Sequence, residues 1–112
     1  MSVEESSTVD IISIDRKTGQ VILTISDHLD WHDSKDHQML LQRKLNSYIA
    51  FVESGEILRS YPDAKGKSIT FKVVFKFRPD RDAESFLERA RGIVASAGFQ
   101  LRHEVFADSY DN

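Results

Sequence analysis

The side chains most able to do chemistry are concentrated in one stretch, Ser26-Asp27-His28-Leu29-Asp30-Trp31-His32-Asp33-Ser34-Lys35-Asp36-His37. It holds three of the four histidines, the single tryptophan and four aspartates. Imidazole and carboxylate together suit zinc, nickel, manganese or non-haem iron. His28 and His32 are four apart with Asp30 between them, and these three are the candidate metal ligands. A His-x-x-x-His pair binds metal when a helix puts both rings on one face. Here the pair precedes the expected helix cap, and the glutamate of the zinc-protease signature is missing. A metal-dependent enzyme therefore stands as an alternative, and no cofactor is expected. The plainer reading is structural. Asp33 and Asp36 fall where a helix start favours negative charge, His28 bonds to loop backbone, and His37 is a satisfied histidine at the core edge.

Other chemistries have less support. Ser26, Asp27 and His28 are neighbours on an expected strand, so their side chains alternate between faces and form no triad. There is no Gly-x-Ser-x-Gly turn, and no glycine-rich loop to cradle phosphate. The aspartates would repel an anion from this helix start. No residue is assigned a catalytic role, and the balance is against an enzyme. A basic strip of Lys72, Lys76 and Arg102, with Arg78, Lys65 and Lys67 near it, raises a second alternative, RNA binding through a sheet face. Such faces stack bases on aromatic rings. The phenylalanines of that strand are expected inward, leaving only Phe106 outside, so a nucleic-acid partner is not the expectation. The leading reading is a protein-interaction surface formed by Asp27, His28, Leu29, Asp30, Trp31 and His32. It combines an aromatic anchor with a polar rim, which is the composition of a binding hot spot.

The elements that must position this stretch follow from periodicity. Val9–Ile14 and Val21–Ile25 are β-branched runs flanking a polar turn in which Gly19 is placed for positive φ, a hairpin signal. Val21, Leu23 and Ile25 share one face, while Ile22 with Ile12 and Ile14 falls on the other. Both faces of the hairpin then look apolar, and one is expected to be covered, either by another part of the chain or by a second copy of the protein. A helix over 34–54 is capped by Asp33 or Ser34 and ended by Gly55. Leu41, Leu45, Tyr48, Ile49 and Val52 form its apolar stripe, and His37 lies one turn before Leu41. Residues 56–68 read as a long connection with turns at Pro62 and Gly66. Ile69–Phe77 alternates as a strand with Ile69, Phe71, Val73, Phe75 and Phe77 inward. Asp80 caps a second helix to about Ala97, with Ala83, Phe86, Leu87, Ala90, Ile93 and Val94 as its stripe. A last strand over 99–106 turns Leu101, His103 and Val105 inward.

The order is ββαβαβ. It predicts an α+β two-layer sandwich, a four-stranded mixed sheet with two helices on one face. Residues 9–106 are expected to form the domain, with a disordered tail at 1–8 and a tail at 107–112. A chain of 112 residues with 40 % hydrophobic and 29 % charged residues suits one soluble domain. The net charge of −3 is too mild to imply a nucleic-acid or membrane partner. The chain has no cysteine, which removes disulfides and thiol catalysis and fits a reducing cytoplasm. The start is acidic and polar, unlike a secretory signal.

Several strings on these elements carry a resemblance. They are Val9-Asp10-Ile11-Ile12, Thr24-Ile25-Ser26-Asp27-His28-Leu29-Asp30-Trp31, Leu45-Asn46-Ser47-Tyr48, Glu53-Ser54-Gly55 and Tyr61-Pro62. Over residues 9–106 the chain resembles a family of short, uncharacterised bacterial proteins with no assigned activity. The resemblance implies that residues 26–32 are a signature site and implies no mechanism. Taken together, the expectation is a small cytoplasmic interaction module that forms a homodimer, with an unknown protein partner and no membrane contact.

Overall fold

Two β-branched runs joined by a tight turn begin the described part of the chain, which in this computed structural model comprises residues 11–106. The tails expected at 1–8 and 107–112, and the first two residues of the expected first strand, lie outside the described residues. Strand β1 (Ile11–Ile14) pairs antiparallel with β2 (Val21–Asp27). Gly19 closes the turn with φ 74°, a conformation that L side chains rarely adopt. Asp15 holds the turn together. Its carboxylate accepts from the amides of Lys17 (2.8 Å) and Thr18 (3.3 Å).

The rest alternates helix and strand. Helix α1 (Ser34–Glu53) is followed by a short helix α2 (Glu56–Ser60) and a 3-10 turn at Pro62–Ala64. Strand β3 (Ile69–Phe75), helix α3 (Arg81–Ser96) and strand β4 (Gln100–Val105) complete the fold. The sheet order is β1-β2-β3-β4, with β2, β3 and β4 parallel. A parallel neighbour reached through a helix is a crossover with a preferred hand. Two crossovers stepping in the same direction therefore leave α1 and α3 on the same face. The α+β sandwich and mixed sheet stand as expected. The element order differs by α2, which forms within the stretch expected to be an unstructured connection. Ile57 and Ala64 are buried there, and Leu58 beside Ile57 is exposed; two buried anchors seven residues apart leave no periodicity to read.

The core lies between sheet and helices. Val21, Leu23 and Ile25 of β2 and Phe71, Val73 and Phe75 of β3 are fully buried. They meet Leu41, Leu45 and Tyr48 of α1 and Leu87 and Val94 of α3. Tyr48 also donates its hydroxyl to the Thr24 carbonyl at 3.1 Å, tying α1 to the sheet. Lys44 is buried on the same helix face, its ammonium 5.4 Å from the Tyr48 ring centroid.

Three sequence expectations are overturned. Register pairs Ile12 with Leu23 and Ile14 with Val21, and directly opposite residues share a face. Ile12 and Ile14 therefore point to the core, and the second face carries Ile11, Ser13, Ile22 and Thr24. With Thr70, Lys72, Val74, Gln100, Arg102 and Glu104 beside them, that face is mostly polar, its apolar strand residues being Ile11, Ile22 and Val74. The second face of the hairpin thus loses Ile12 and Ile14 and keeps Ile11 and Ile22, because alternation within each strand does not fix the register between strands. Phe77 lies beyond the end of β3 and is 42 % exposed. Ile93 is 68 % exposed; it sits beside the Ala83–Leu87–Ala90–Val94 line, not on it.

Candidate functional site

The parallel strands β2, β3 and β4 all end at one edge, and the chemistry-rich stretch begins there. Asp27 is the last residue of β2 and follows Val21, Leu23 and Ile25 on the inward face, so its carboxylate is directed under the start of α1. That helix starts at Ser34 because the Asp33 carboxylate accepts from the Asp36 amide at 3.3 Å. One turn in, His37 points back at the sheet. Its Nε2 lies 2.5 Å from Asp27 Oδ2, and its Nδ1 lies 2.9 Å from the Asp30 carbonyl oxygen. Asp27 Oδ1 accepts from the Leu29 amide at 3.1 Å. Asp27 and His37 are 1 % and 2 % exposed.

A carbonyl oxygen can only accept, so Nδ1 carries a hydrogen and donates. One further proton lies between Nε2 and the carboxylate, and such charge-assisted bonds are short. Burial is the largest single influence on His37 and pulls its pKa down. The hydrogen bond and charge of Asp27, with the carbonyl and charge of Asp30, together outweigh burial and hold the pKa above the ordinary 6.5. Both ring nitrogens are occupied, so His37 has no free position to act as a base or bind a metal.

Trp31 lies over this pair. Its ring stacks on His37 with centroids 3.7 Å apart and planes at 16°. Its Nε1 donates to the Phe77 carbonyl at 3.2 Å, and its other neighbour is Phe75, at 5.7 Å. The indole is half-buried, packed against the core and still partly accessible. Around it His28, Asp30 and His32 are exposed and Leu29 is half-buried. Asp30 Oδ1 accepts from the His32 amide at 3.0 Å, so the loop is braced by its own aspartates at both ends.

The six residues singled out from the sequence thus divide. His28, Leu29, Asp30, Trp31 and His32 lie on the accessible loop, while Asp27 supports it from beneath. The three candidate metal ligands do not converge. His28 lines a hollow with Ser26, Lys76 and Phe106 on the outer side of the sheet edge. Asp30 and His32 line a different one with Leu29, Asp33, Asp36, His37 and Leu40. Among the described residues, no three His, Cys, Asp or Glu side chains gather as a metal site. On the basic strip, Lys72 is paired with Glu104 at 3.2 Å. Phe77 is the contributor that sequence reasoning missed. Its alternation with Phe71, Val73 and Phe75 signalled core, and the only contrary sign was Pro79 two residues on.

The fold and this edge define a small α+β domain that presents a braced aromatic loop at the carboxyl ends of its parallel strands. The chain matches the family of unknown function DUF6572 over residues 1–107 and belongs to it. No curated protein and no solved structure matches the chain. Among the described residues, no helix is long and apolar enough to cross a membrane.

Proposed function

We propose that this chain is a cytoplasmic protein-interaction module whose contact surface is the 28–32 loop together with the exposed ring of Phe77. The carrying observation is the state of Trp31. It is held by a stack on His37 and a hydrogen bond to Phe77, yet it remains partly accessible in a loop where His28, Asp30 and His32 are exposed. A large aromatic side chain fixed before binding loses little conformational freedom when a partner covers it. Tryptophan is also the residue type most enriched among binding hot spots. The metal and RNA readings have no comparable support, since the candidate ligands His28 and His32 line separate hollows and Lys72 is ion-paired.

The test uses immobilised wild type, Trp31→Ala and a control, Lys17→Ala in the distant β1–β2 turn, each first shown to be folded by circular dichroism. The expected outcome is one protein from the native lysate retained by wild type and control and lost by Trp31→Ala. Equal retention by all three, or no retention by wild type, overturns the reading.

A second reading has one observation in its favour. Ile93, 68 % exposed, borders a groove of about 240 Å³ between α1 and α3 whose walls include Leu45, Ile49 and Phe86. This surface, whose apolar residues are interleaved with Gln42, Asn46 and Arg89, is what supports homodimer formation in place of the hairpin. Light scattering at micromolar concentration should then give a dimer that Ile93→Asp converts to monomer; a wild-type monomer removes this reading.

A further inference from the structure

We propose that the proton held between Asp27 and His37 is a latch on the 28–32 loop, and that its loss releases the loop. The geometry makes the proton indispensable. Asp27 Oδ2 and His37 Nε2 are 2.5 Å apart, and Nδ1 already spends its hydrogen on the Asp30 carbonyl. Whether the shared proton sits on nitrogen or on oxygen, the count is the same. Remove it, and a carboxylate oxygen faces a bare nitrogen lone pair at hydrogen-bond distance, buried from water. Two acceptors in that position repel, and neither can be solvated without movement.

What moves is fixed by what the pair holds. Asp27 Oδ1 anchors the Leu29 amide, His37 Nδ1 anchors the Asp30 carbonyl, and the His37 ring is the platform for Trp31. These three attachments of the loop pass through the two side chains that must separate, which leaves the bond from Trp31 Nε1 to the Phe77 carbonyl as a tether independent of the pair. The titratable groups around His37 come from each neighbouring element. Asp27 comes from β2 and Asp30 from the loop, while His32, Asp33 and Asp36 line the hollow beside it. Lys44 lies two turns further along the buried face of α1, and β3 contributes the uncharged ring of Phe75 behind Trp31. The aspartates favour the proton, and the raised pKa of His37 agrees with that. The latch is therefore closed in acid and at the ordinary histidine pKa, and opens on the alkaline side.

Loop release is a property of the free protein. Its use as a control on partner binding rests on the interaction reading above. Accordingly the test is made without a partner, so that a failed latch leaves the contact surface standing and a failed capture leaves the latch result intact. Amide-exchange protection of Leu29 to His32 is followed by NMR from about pH 5.5 to about pH 9, alongside the His37 ring resonances. The expected result in wild type is a drop in loop protection of about tenfold or more, with the midpoint of the His37 titration, while α3 is unchanged. In Asp27→Asn the amide donates to neutral Nε2 and its oxygen still accepts from Leu29, so the loop should stay protected and the step disappear. His37→Gln, which offers a non-titrating donor to Asp27, should also remove the step and serves if Asp27→Asn does not fold. Constant protection through the His37 titration overturns the latch. So does a ring that keeps its proton across the range, or a step that persists in the folded variants.

Discussion

Asp27 and His37 are the residues on which the accessible loop depends, although neither is on the surface. Removing one member of a buried, hydrogen-bonded ion pair leaves the other uncompensated, which usually costs about 3–5 kcal/mol. Asp27→Ala should fall in that range by urea unfolding, because it strands the His37 ring and frees the Leu29 amide. Exposed His32, one residue beyond Trp31, makes the contrast. His32→Ala should change stability by no more than about 0.5 kcal/mol while still altering the contact surface. Trp31→Phe separates the two attachments of the indole. It retains an aromatic face for His37 and deletes the bond to the Phe77 carbonyl, so a loss of about 1 kcal/mol is expected in the same measurement. A loss near zero would show that the stack alone fixes the ring.

At the scale of elements, the site depends on two helix starts that are tied together. Asp80 caps α3 by accepting from the Ala83 amide at 2.8 Å, and the same oxygen accepts from the Ser34 hydroxyl, at 3.2 Å, at the start of α1. Asp80→Ala therefore removes a cap and a link between helices. Its expected cost is about 1–2 kcal/mol in a thermal or urea melt, whereas Asp80→Ser should recover most of the capping share. Both caps were legible in the sequence, because an aspartate before an apolar three-to-four stripe has a local cause. Positive-φ Gly19 and Gly55, the strand alternation and the burial of His37 one turn before Leu41 were legible for the same reason. What depends on relations between elements was not. The inward direction of Ile12 and Ile14 is set by the β1–β2 register, which no single strand encodes. Helix α2 is held by Ile57, its one buried residue, beside an exposed Leu58 that gives no apolar stripe to read. The Asp27–His37 bond joins residues ten apart through the arrival angle of α1 on the sheet, so the stretch was visible as a site while its internal partners were not.

Across the whole molecule, the carboxyl edge of the sheet carries a run of rings that joins two histidines of opposite character. His37 stacks on Trp31 at 3.7 Å, Trp31 meets Phe75 at 5.7 Å, and Phe75 meets His103 of β4 edge-on at 5.6 Å. At the far end Arg91 of α3 donates to His103 Nδ1 at 2.9 Å, which only a neutral ring can accept. Burial first, and then the Arg91 charge, push the His103 pKa below 6.5, against a smaller upward pull from Glu84. The two histidines therefore act on stability in opposite pH ranges. The folded state holds the His37 proton more tightly than the unfolded chain does. That contribution is complete below 6.5 and is lost as pH rises through the raised folded pKa. The folded state resists protonating His103, so its contribution is complete above 6.5 and is lost as pH falls towards the depressed folded pKa. Stability plotted against pH should consequently have a maximum close to the ordinary histidine value, with each limb owned by one residue. Urea midpoints measured from about pH 5 to about pH 9 should lose the alkaline limb in His37→Gln and the acid limb in His103→Gln. Because the rings touch in series, the double variant need not equal the sum of the two, and the size of that departure measures the coupling along the edge. Strict additivity would mean that Trp31 and Phe75 pack between the histidines without transmitting anything from one to the other.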